Sequence, residues 1–331
     1  MEDALRNSGL MKLARIFLCW SAVLAGAWLV LSAAIGMIAA EGALHPARRV
    51  PKVADEVLAQ AVAARNHSHL ADADLTAGDG VTLRAWSIRP ERGNGDAVIL
   101  LHGQADSRAG MLGNADLLLR YGYTVLLPDA RAHGTSGGDL ATYGVKEAGD
   151  LRHWFDWLER SESRRCIDGL GESMGAAQLL QSLRTTPGFC AIVAESSFAS
   201  FREASYLRLG ERLHAGAWVG RTLLRPAVEA GLLYARWKYG VDLEQASPEN
   251  VVAASKVPVL LIHGKKDTNL PPRQSEEIQA RNPSRDPAVV LWEPSEADHC
   301  GAYGAEPKEY ERRVIGWFES HDAAELAKGR H

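Results

Sequence analysis

The chain has 331 residues, 24% of them charged and 46% hydrophobic, with a formal net charge of −4 and a pI near 6.3. That length suits one large α/β domain or two small ones. There is no basic surplus and no Lys/Arg run interleaved with aromatics, which argues against nucleic acid as a partner. The four cysteines lack any CxxC or Cys/His spacing that would suggest a zinc site.

From Ile16 to Ala40 the chain carries no charge, and Arg6, Lys12 and Arg15 precede the run. About 20 helical residues cross a hydrocarbon core of about 30 Å, so this stretch is long enough to span a bilayer. A cleaved signal peptide ending near Ala40 is one alternative, although its apolar region is usually only about 7 to 15 residues. A buried soluble helix is the other. The favoured reading is a cytoplasmic flank at 1–15 and a transmembrane helix or signal anchor at 16–40 that contacts the lipid bilayer. Arg48, Arg49 and Lys52 nearly balance the basic residues before the span. A short basic N-terminal flank still favours delivery of the downstream chain to the periplasmic or extracytoplasmic side.

Residues 41–70 read as a linker with a short helix at Ala54 to Ala64, and the folded domain is expected from about Ala71 to His321. Asp79 and Gly80 lie between two β-prone runs and signal a hairpin. Strands are then expected at Ala97–Leu101, Thr124–Leu127, Cys166–Leu170, Ala191–Ala194, Val257–Ile262 and Ala288–Trp292. Several are continuous apolar runs, as strands covered on both faces are. Helical patterns fill the gaps at about Arg108–Tyr121, Lys146–Glu159, Met174–Arg184, Gln274–Ala280 and Pro307–Glu319. Repeated β-α units after a hairpin imply an α/β fold with a doubly wound, mostly parallel sheet.

The stretch from about 198 to 256 breaks this rhythm with apolar residues at helical spacing, among them Trp218, Leu223, Leu224, Val228, Leu232, Leu233 and Trp237. It reads as a helical cap inserted above the sheet. Those residues either favour a hydrophobic portion of a substrate or simply bury one another. Residues 322–331 read as a polar tail. Cys166 and Cys190, at the starts of two strands, are either disulfide-bonded in an exported domain or buried free thiols.

"GESMG" places Ser173 between Gly171 and Gly175. The pattern alone fits an ordinary capped turn as well as a nucleophile. Its setting, a β-prone run before and a helix former after, is that of a nucleophile elbow, where flanking glycines make room for a strained serine. A serine nucleophile needs a base and an orienting acid, each just past a strand and in the order Ser, Asp/Glu, His. Asp267 in "LLIHGKKDTNLPP" and His299 in "EADHCGAY" meet that order. An oxyanion would be met by the backbone N–H groups of Met174 and Gln104, the latter following Gly103 in "LLHGQADSR". Glu195 is a weaker candidate for the acid, and His263 is expected to pack beneath the site. Asp298 is expected to point away from His299, Cys300 lacks a base, and His133 is expected to stabilise a turn.

In this order and at these separations, "LLHGQADSR", "VLLPDARAHGTSGG", "GESMGAA", "LLIHGKKDTNLPP" and "EADHCGAY" resemble the α/β-hydrolase superfamily from about Leu75 to His321. Within it the chain resembles membrane-anchored bacterial serine hydrolases, esterase-like and prolyl-peptidase-like, with a small helical cap. The resemblance implies an eight-stranded sheet and hydrolysis through an acyl-serine intermediate. It departs from the family's D-x-R-G-H-G at Ala132, which occupies a glycine position and so bears on loop geometry. The leading reading is a serine esterase acting on a small or medium, hydrophobic ester without a cofactor. A peptidase or amidase, thioesterase or acyltransferase on the same triad is the alternative. A non-catalytic membrane-tethered interaction module is the alternative of another class.

Overall fold

The computed structural model describes residues 2–161, 165–282 and 288–327. They form two compact units: Met1–Gly42 with Ser205–Gly240, and Ala43–Ala204 with Val241–His331.

The larger unit is built on eight strands: β1 (Ser68–Thr76), β2 (Thr82–Pro90), β3 (Ala97–Leu101), β4 (Thr124–Pro128), β5 (Ile167–Glu172), β6 (Ile192–Glu195), β7 (Val259–Ile262) and β8 (Val289–Trp292). They pair in the order β1-β2-β4-β3-β5-β6-β7-β8. β1 and β2 form the expected hairpin, and Gly80 takes a φ of 84° in its turn, which glycine adopts without the clash a Cβ would bring. β2 meets β4 antiparallel, and every later pairing is parallel. β7 starts two residues later than expected because Pro258 has no N–H to give the ladder.

In chain order the helices are α1 (Glu2–Leu44), α2 (Val53–Arg65), α3 (Leu112–Arg120), α4 (Glu147–Ser161), α5 (Met174–Ser182), α6 (Phe201–Arg212), α7 (Gly216–Arg221), α8 (Arg225–Tyr239), α9 (Pro248–Ala254), α10 (Arg273–Ala280), α11 (Ala302–Ala305) and α12 (Pro307–Ala327). One core joins Val98, Leu100 and Leu170 to α2, α3 and α12, and a second joins Ile99, Leu101 and Ile192 to α4, α5 and α9. Adjacent strand residues therefore feed opposite cores. This is why the inner strands read as unbroken apolar runs.

Three boundaries differ from the sequence reading. The body includes α2, expected as a short helix ahead of a domain starting near Ala71, since Ala59, Val62 and Ala63 are core residues. α9, expected in the cap, buries Val251 and Val252 in the second core. The expected tail at 322–331 is helical through Ala327 and buries Asp322, whereas 328–331 lie outside the described residues.

Cys166 and Cys190 form a disulfide with Cα atoms 5.7 Å apart. Parallel neighbours β5 and β6 bring their starts together, which decides between the two thiol readings. The bond closes a sequence separation of 24 residues. A Cys166→Ala/Cys190→Ala double variant is therefore expected to lose about 3 kcal/mol of stability. Urea titration checks this, and an unchanged midpoint would mean that the bridge does not stabilise the domain.

In the smaller unit α1 is exposed throughout its apolar stretch from Ile16 to Leu31, and the helix over Met11–Leu44 is long and apolar enough to cross a membrane. From Ser32 onward one face is covered: Ser32, Gly36 and Ala40 are buried at four-residue spacing. Gly36 meets Gly231 of α8 backbone to backbone, and a Cβ added at Gly231 would stand 2.7 Å from the Gly36 carbonyl oxygen. The apolar residues singled out between 198 and 256 divide between inside and outside. Leu224, Val228 and Leu232 are buried, while Trp218, Leu223, Leu233 and Trp237 face outward.

Candidate active site

Ser173 sits between the end of β5 and the start of α5, with φ 53° and ψ −113°. This is the left-handed side of φ, which costs a non-glycine residue energy and persists only where the surroundings impose it. Both neighbouring glycines are sterically required. A Cβ on Gly171 would fall 2.7 Å from the Ala176 nitrogen, and one on Gly175 would fall 2.6 Å from the His102 carbonyl oxygen. The crowding of β5, α5 and the loop after β3 thus holds the serine in its turn and leaves its side chain half-buried.

His299 reaches this turn from the loop after β8, with Nε2 2.9 Å from Ser173 Oγ. Its Nδ1 lies 2.7 Å from Asp267 Oδ2. An ionised carboxylate only accepts, so the imidazole proton sits on Nδ1 and Nε2 is left to accept the serine hydroxyl proton. Asp267, on the loop after β7, is anchored separately: its Oδ1 accepts from the N–H groups of Asn269 at 2.9 Å and Leu270 at 2.8 Å. His263 stands beneath it, with Nε2 donating to the Leu270 carbonyl at 2.8 Å and 3.2 Å from Asp267 Oδ2. Burial alone would raise the Asp267 pKa, but the hydrogen bonds from His263, His299 and Leu270 outweigh it and hold the carboxyl far below its ordinary range.

The loop after β3 passes beside the serine, and a Cβ on Gly103 would stand 3.6 Å from the Ser173 Cβ. The Gln104 and Met174 N–H groups flank this turn, and Met174 opens α5, where first-turn donors lack intrahelical partners. Among the described residues, no hydrogen bond takes up either N–H. The Gln104 side chain is engaged elsewhere, donating from Nε2 to the Tyr143 hydroxyl at 2.7 Å, which donates in turn to the Ala43 carbonyl at 2.8 Å.

His102 was missed as a positioning residue, although it stands in "LLHGQ". It is buried, and burial pushes its pKa down, so it stays neutral. Its Nε2 accepts from the Ala130 N–H at 3.1 Å, which leaves Nδ1–H to donate to the Gly103 carbonyl at 2.8 Å. The loop after β3 is thereby tied to the loop after β4. His133 is a turn residue, its Nδ1 donating to the Arg131 carbonyl at 3.0 Å. Ala132, at the family's glycine position, has φ 60°, so the loop keeps the glycine conformation at a steric cost.

The competing candidates lie elsewhere. Cys300 takes part through its N–H, which donates to Ser196 Oγ at 3.1 Å, and burial pushes its thiol pKa up. Asp298 faces its own loop, where a Cβ on Gly301 would meet its carboxylate. Glu195 accepts from the Ala302 N–H at 2.9 Å and pairs in register with Glu172 on β5. Glu172 accepts from Asn114 Nδ2 at 2.7 Å, and Asn114 accepts from the Tyr310 hydroxyl at 2.9 Å.

Burial and then the neighbouring carboxylate push Glu172 up to about 8, and burial first of all pushes Glu195 up to about 7. Two carboxylates side by side away from water cannot both ionise cheaply, so at neutral pH the pair retains a proton. This proton fixes the sign of the effect on stability. Between the ordinary value of 4.5 and the raised values, the folded state binds more protons than the unfolded one. The contribution is complete below 4.5 and is lost as pH rises through about 7 to 8. Wild-type Tm is therefore expected to fall between pH 5 and 8, and Glu172→Gln to flatten that slope in a thermal melt. Identical slopes for the two proteins would refute the shared proton.

Residues 98–313 match the profile of the Alpha/beta hydrolase family. Among solved structures, the Pyrococcus furiosus esterase Pf2001 is similar at 28% identity with a TM-score of 0.66, over 84% of this chain and 97% of that one. The Pyrococcus horikoshii acylaminoacyl peptidase shares the fold at 18% identity and a TM-score of 0.58, over 76% of this chain and 41% of that one. Among curated proteins, YqkD of Bacillus subtilis is 26% identical over 244 residues, covering 73% of this chain and 76% of its own. YfhR of Escherichia coli is 26% identical over 226 residues, covering 64% and 69%. Both carry the description uncharacterised. With more than half of its length matched to that profile and a sheet of this order beneath the elbow, the chain belongs to the Alpha/beta hydrolase family and is a hydrolase.

Proposed function

We propose that the protein is a serine esterase, held to a bilayer by α1, that hydrolyses a small or medium carboxylic ester through an acyl-serine intermediate. The observation that carries this reading is the hydrogen-bonded run from Ser173 Oγ through His299 to Asp267. In the reaction His299 Nε2 takes the hydroxyl proton as Ser173 attacks the ester carbonyl, and it then returns that proton to the leaving alcohol. Asp267 keeps the imidazole in the required tautomer and stabilises its charged form. The N–H groups of Gln104 and Met174 receive the developing oxyanion, each such donor contributing about 10²- to 10³-fold in rate. Water, activated by the same imidazole, then releases the acid and restores the serine.

Similarity to the Pyrococcus furiosus esterase favours an ester over an amide. The Cys166–Cys190 disulfide supports a domain on the oxidising, extracytoplasmic side of a membrane, because cytosolic thiols are kept reduced. Labelling with a fluorophosphonate and mapping of the adduct tests the assignment. Modification at Ser173 together with turnover of a p-nitrophenyl ester series is expected. Absence of both would favour a non-catalytic tethered module, and preference for an anilide series would favour an amidase.

A further inference from the structure

α1 and α8 share a boundary that fixes depth. Between Ile16 and Gly36 a helix rises about 30 Å, the thickness of a hydrocarbon core. With Arg15 at one face of the bilayer, Gly36 therefore reaches the other. At that level α1 is in backbone contact with α8, where Gly36 meets Ala227 and Gly231. Further along both helices, Glu41 accepts hydrogen bonds from Tyr234, Lys238 and Tyr239. The contact advances in the same direction on each chain segment, so the two helices run alongside one another, and the N-terminal end of α8 points back toward the bilayer. Arg225, the first residue of α8, precedes the crossing by about four residues and so lies about 6 Å deeper than Gly36, with Leu223 in the turn just before it.

The chain that leads into this end of α8 has the composition of an interfacial segment. Trp218 is 71% exposed, Leu223 56% and Leu213 50%. Arg212 and Arg225 are exposed beside them. From Ser205 to Gly240 there are six Lys/Arg residues against two Glu, in a chain whose net charge is −4. Trp and Leu insert at the level of the headgroups and upper acyl chains, to about 5–10 Å, while Arg side chains reach anionic headgroups. The corner is also tightly built, because a Cβ on Gly220 of α7 would stand 2.9 Å from the Tyr206 carbonyl carbon of α6. It is therefore presented as a packed wedge.

We propose that this corner between α6 and α8, carrying Leu213, Trp218 and Leu223 with Arg212 and Arg225, is a second membrane contact that inserts into the interface of an anionic bilayer beside α1. The proposal rests on the reading of α1 as a membrane span. Trp237, about eight residues past the crossing and so about 12 Å on its far side, provides an internal reference.

The test uses the full chain with Cys19→Ser and Cys300→Ser, the disulfide intact, and a single Trp218→Cys, Leu223→Cys or Trp237→Cys bearing a nitrobenzoxadiazole label. Each is reconstituted into phosphatidylcholine vesicles with and without phosphatidylglycerol. Flotation reports the span independently, and circular dichroism reports the fold. Labels at 218 and 223 are expected to be quenched at least about two-fold more by a 5-doxyl lipid than the label at 237, and correspondingly less by iodide, more so with phosphatidylglycerol. Proteins that float but show equal lipid quenching at all three positions would overturn the wedge and leave the span standing. Loss of flotation would overturn both. Shielding from iodide without lipid quenching, growing with protein density, would assign the corner to a second copy of the chain instead.

Discussion

Replacing Ser173 with Ala is expected to lower kcat/KM for a p-nitrophenyl ester by about 10⁶-fold and to abolish fluorophosphonate labelling. The variant removes the attacking Oγ and leaves every backbone contact of the elbow in place, including the Ser173 N–H donated to the Glu195 carbonyl at 2.8 Å. Tm is accordingly expected to change little. Groups that act as a unit are not additive, so Ser173→Ala/His299→Ala should be no slower than Ser173→Ala alone. What activity remains would come from binding and from the Gln104 and Met174 N–H groups. Turnover of Ser173→Ala within ten-fold of wild type would remove the serine mechanism.

The second large effect is expected from Asp267→Asn, at about 10⁴-fold in kcat. An Asn at 267 can still accept from the Asn269 and Leu270 N–H groups through its carbonyl oxygen. Its amide would then turn an N–H toward His299 Nδ1, which must become the acceptor. The imidazole proton moves to Nε2, facing Ser173 Oγ, where it can no longer take the hydroxyl proton. Stability changes too. Asp267 is depressed in the folded state, so its contribution is present above the unfolded value of 3.8 and is lost only as pH falls toward the lower folded value. At pH 7 the variant is therefore expected to melt below wild type, with the difference closing in acid. Kinetics and thermal melts on the same preparations separate the two effects, and a loss of rate below about ten-fold would assign Asp267 a purely structural role.

Much of the sheet was legible because its signals are local. Apolar runs four to six residues long recur between helical patterns, and an Asp-Gly turn joins the first pair. The glycines around Ser173 were legible for the same reason, since a strand, a tight turn and a helix in sequence leave one arrangement for the residue between them. Asp267 and His299 could be named from strand order alone, because in a parallel sheet the loops at the C-terminal strand ends gather on one edge.

Positioning residues were harder to read. His102 and Tyr143 act through partners 28 and 39 residues away, and no periodicity marks such a contact. The helix at Val53–Arg65 was legible as a helix, but not as part of the folded body, because its few buried residues, Ala59, Val62 and Ala63, are small and carry a weak apolar signal. The apolar positions between 198 and 256 were visible as a group, yet the division of those on α8, Val228 and Leu232 inside and Leu233 and Trp237 outside, depends on which face of α8 meets its neighbours.

The sequence by itself determined the order of strands and helices, the charge-free stretch and the chain order of Ser173, Asp267 and His299. All of these arise from short-range pattern, because side-chain periodicity and backbone sterics act over a few residues. The tertiary structure alone decided that Cys166 pairs with Cys190, that Glu172 and Glu195 share a buried site, and that Gly36 meets Gly231. Each of these depends on how closely segments far apart in the chain approach, and close packing sets that distance.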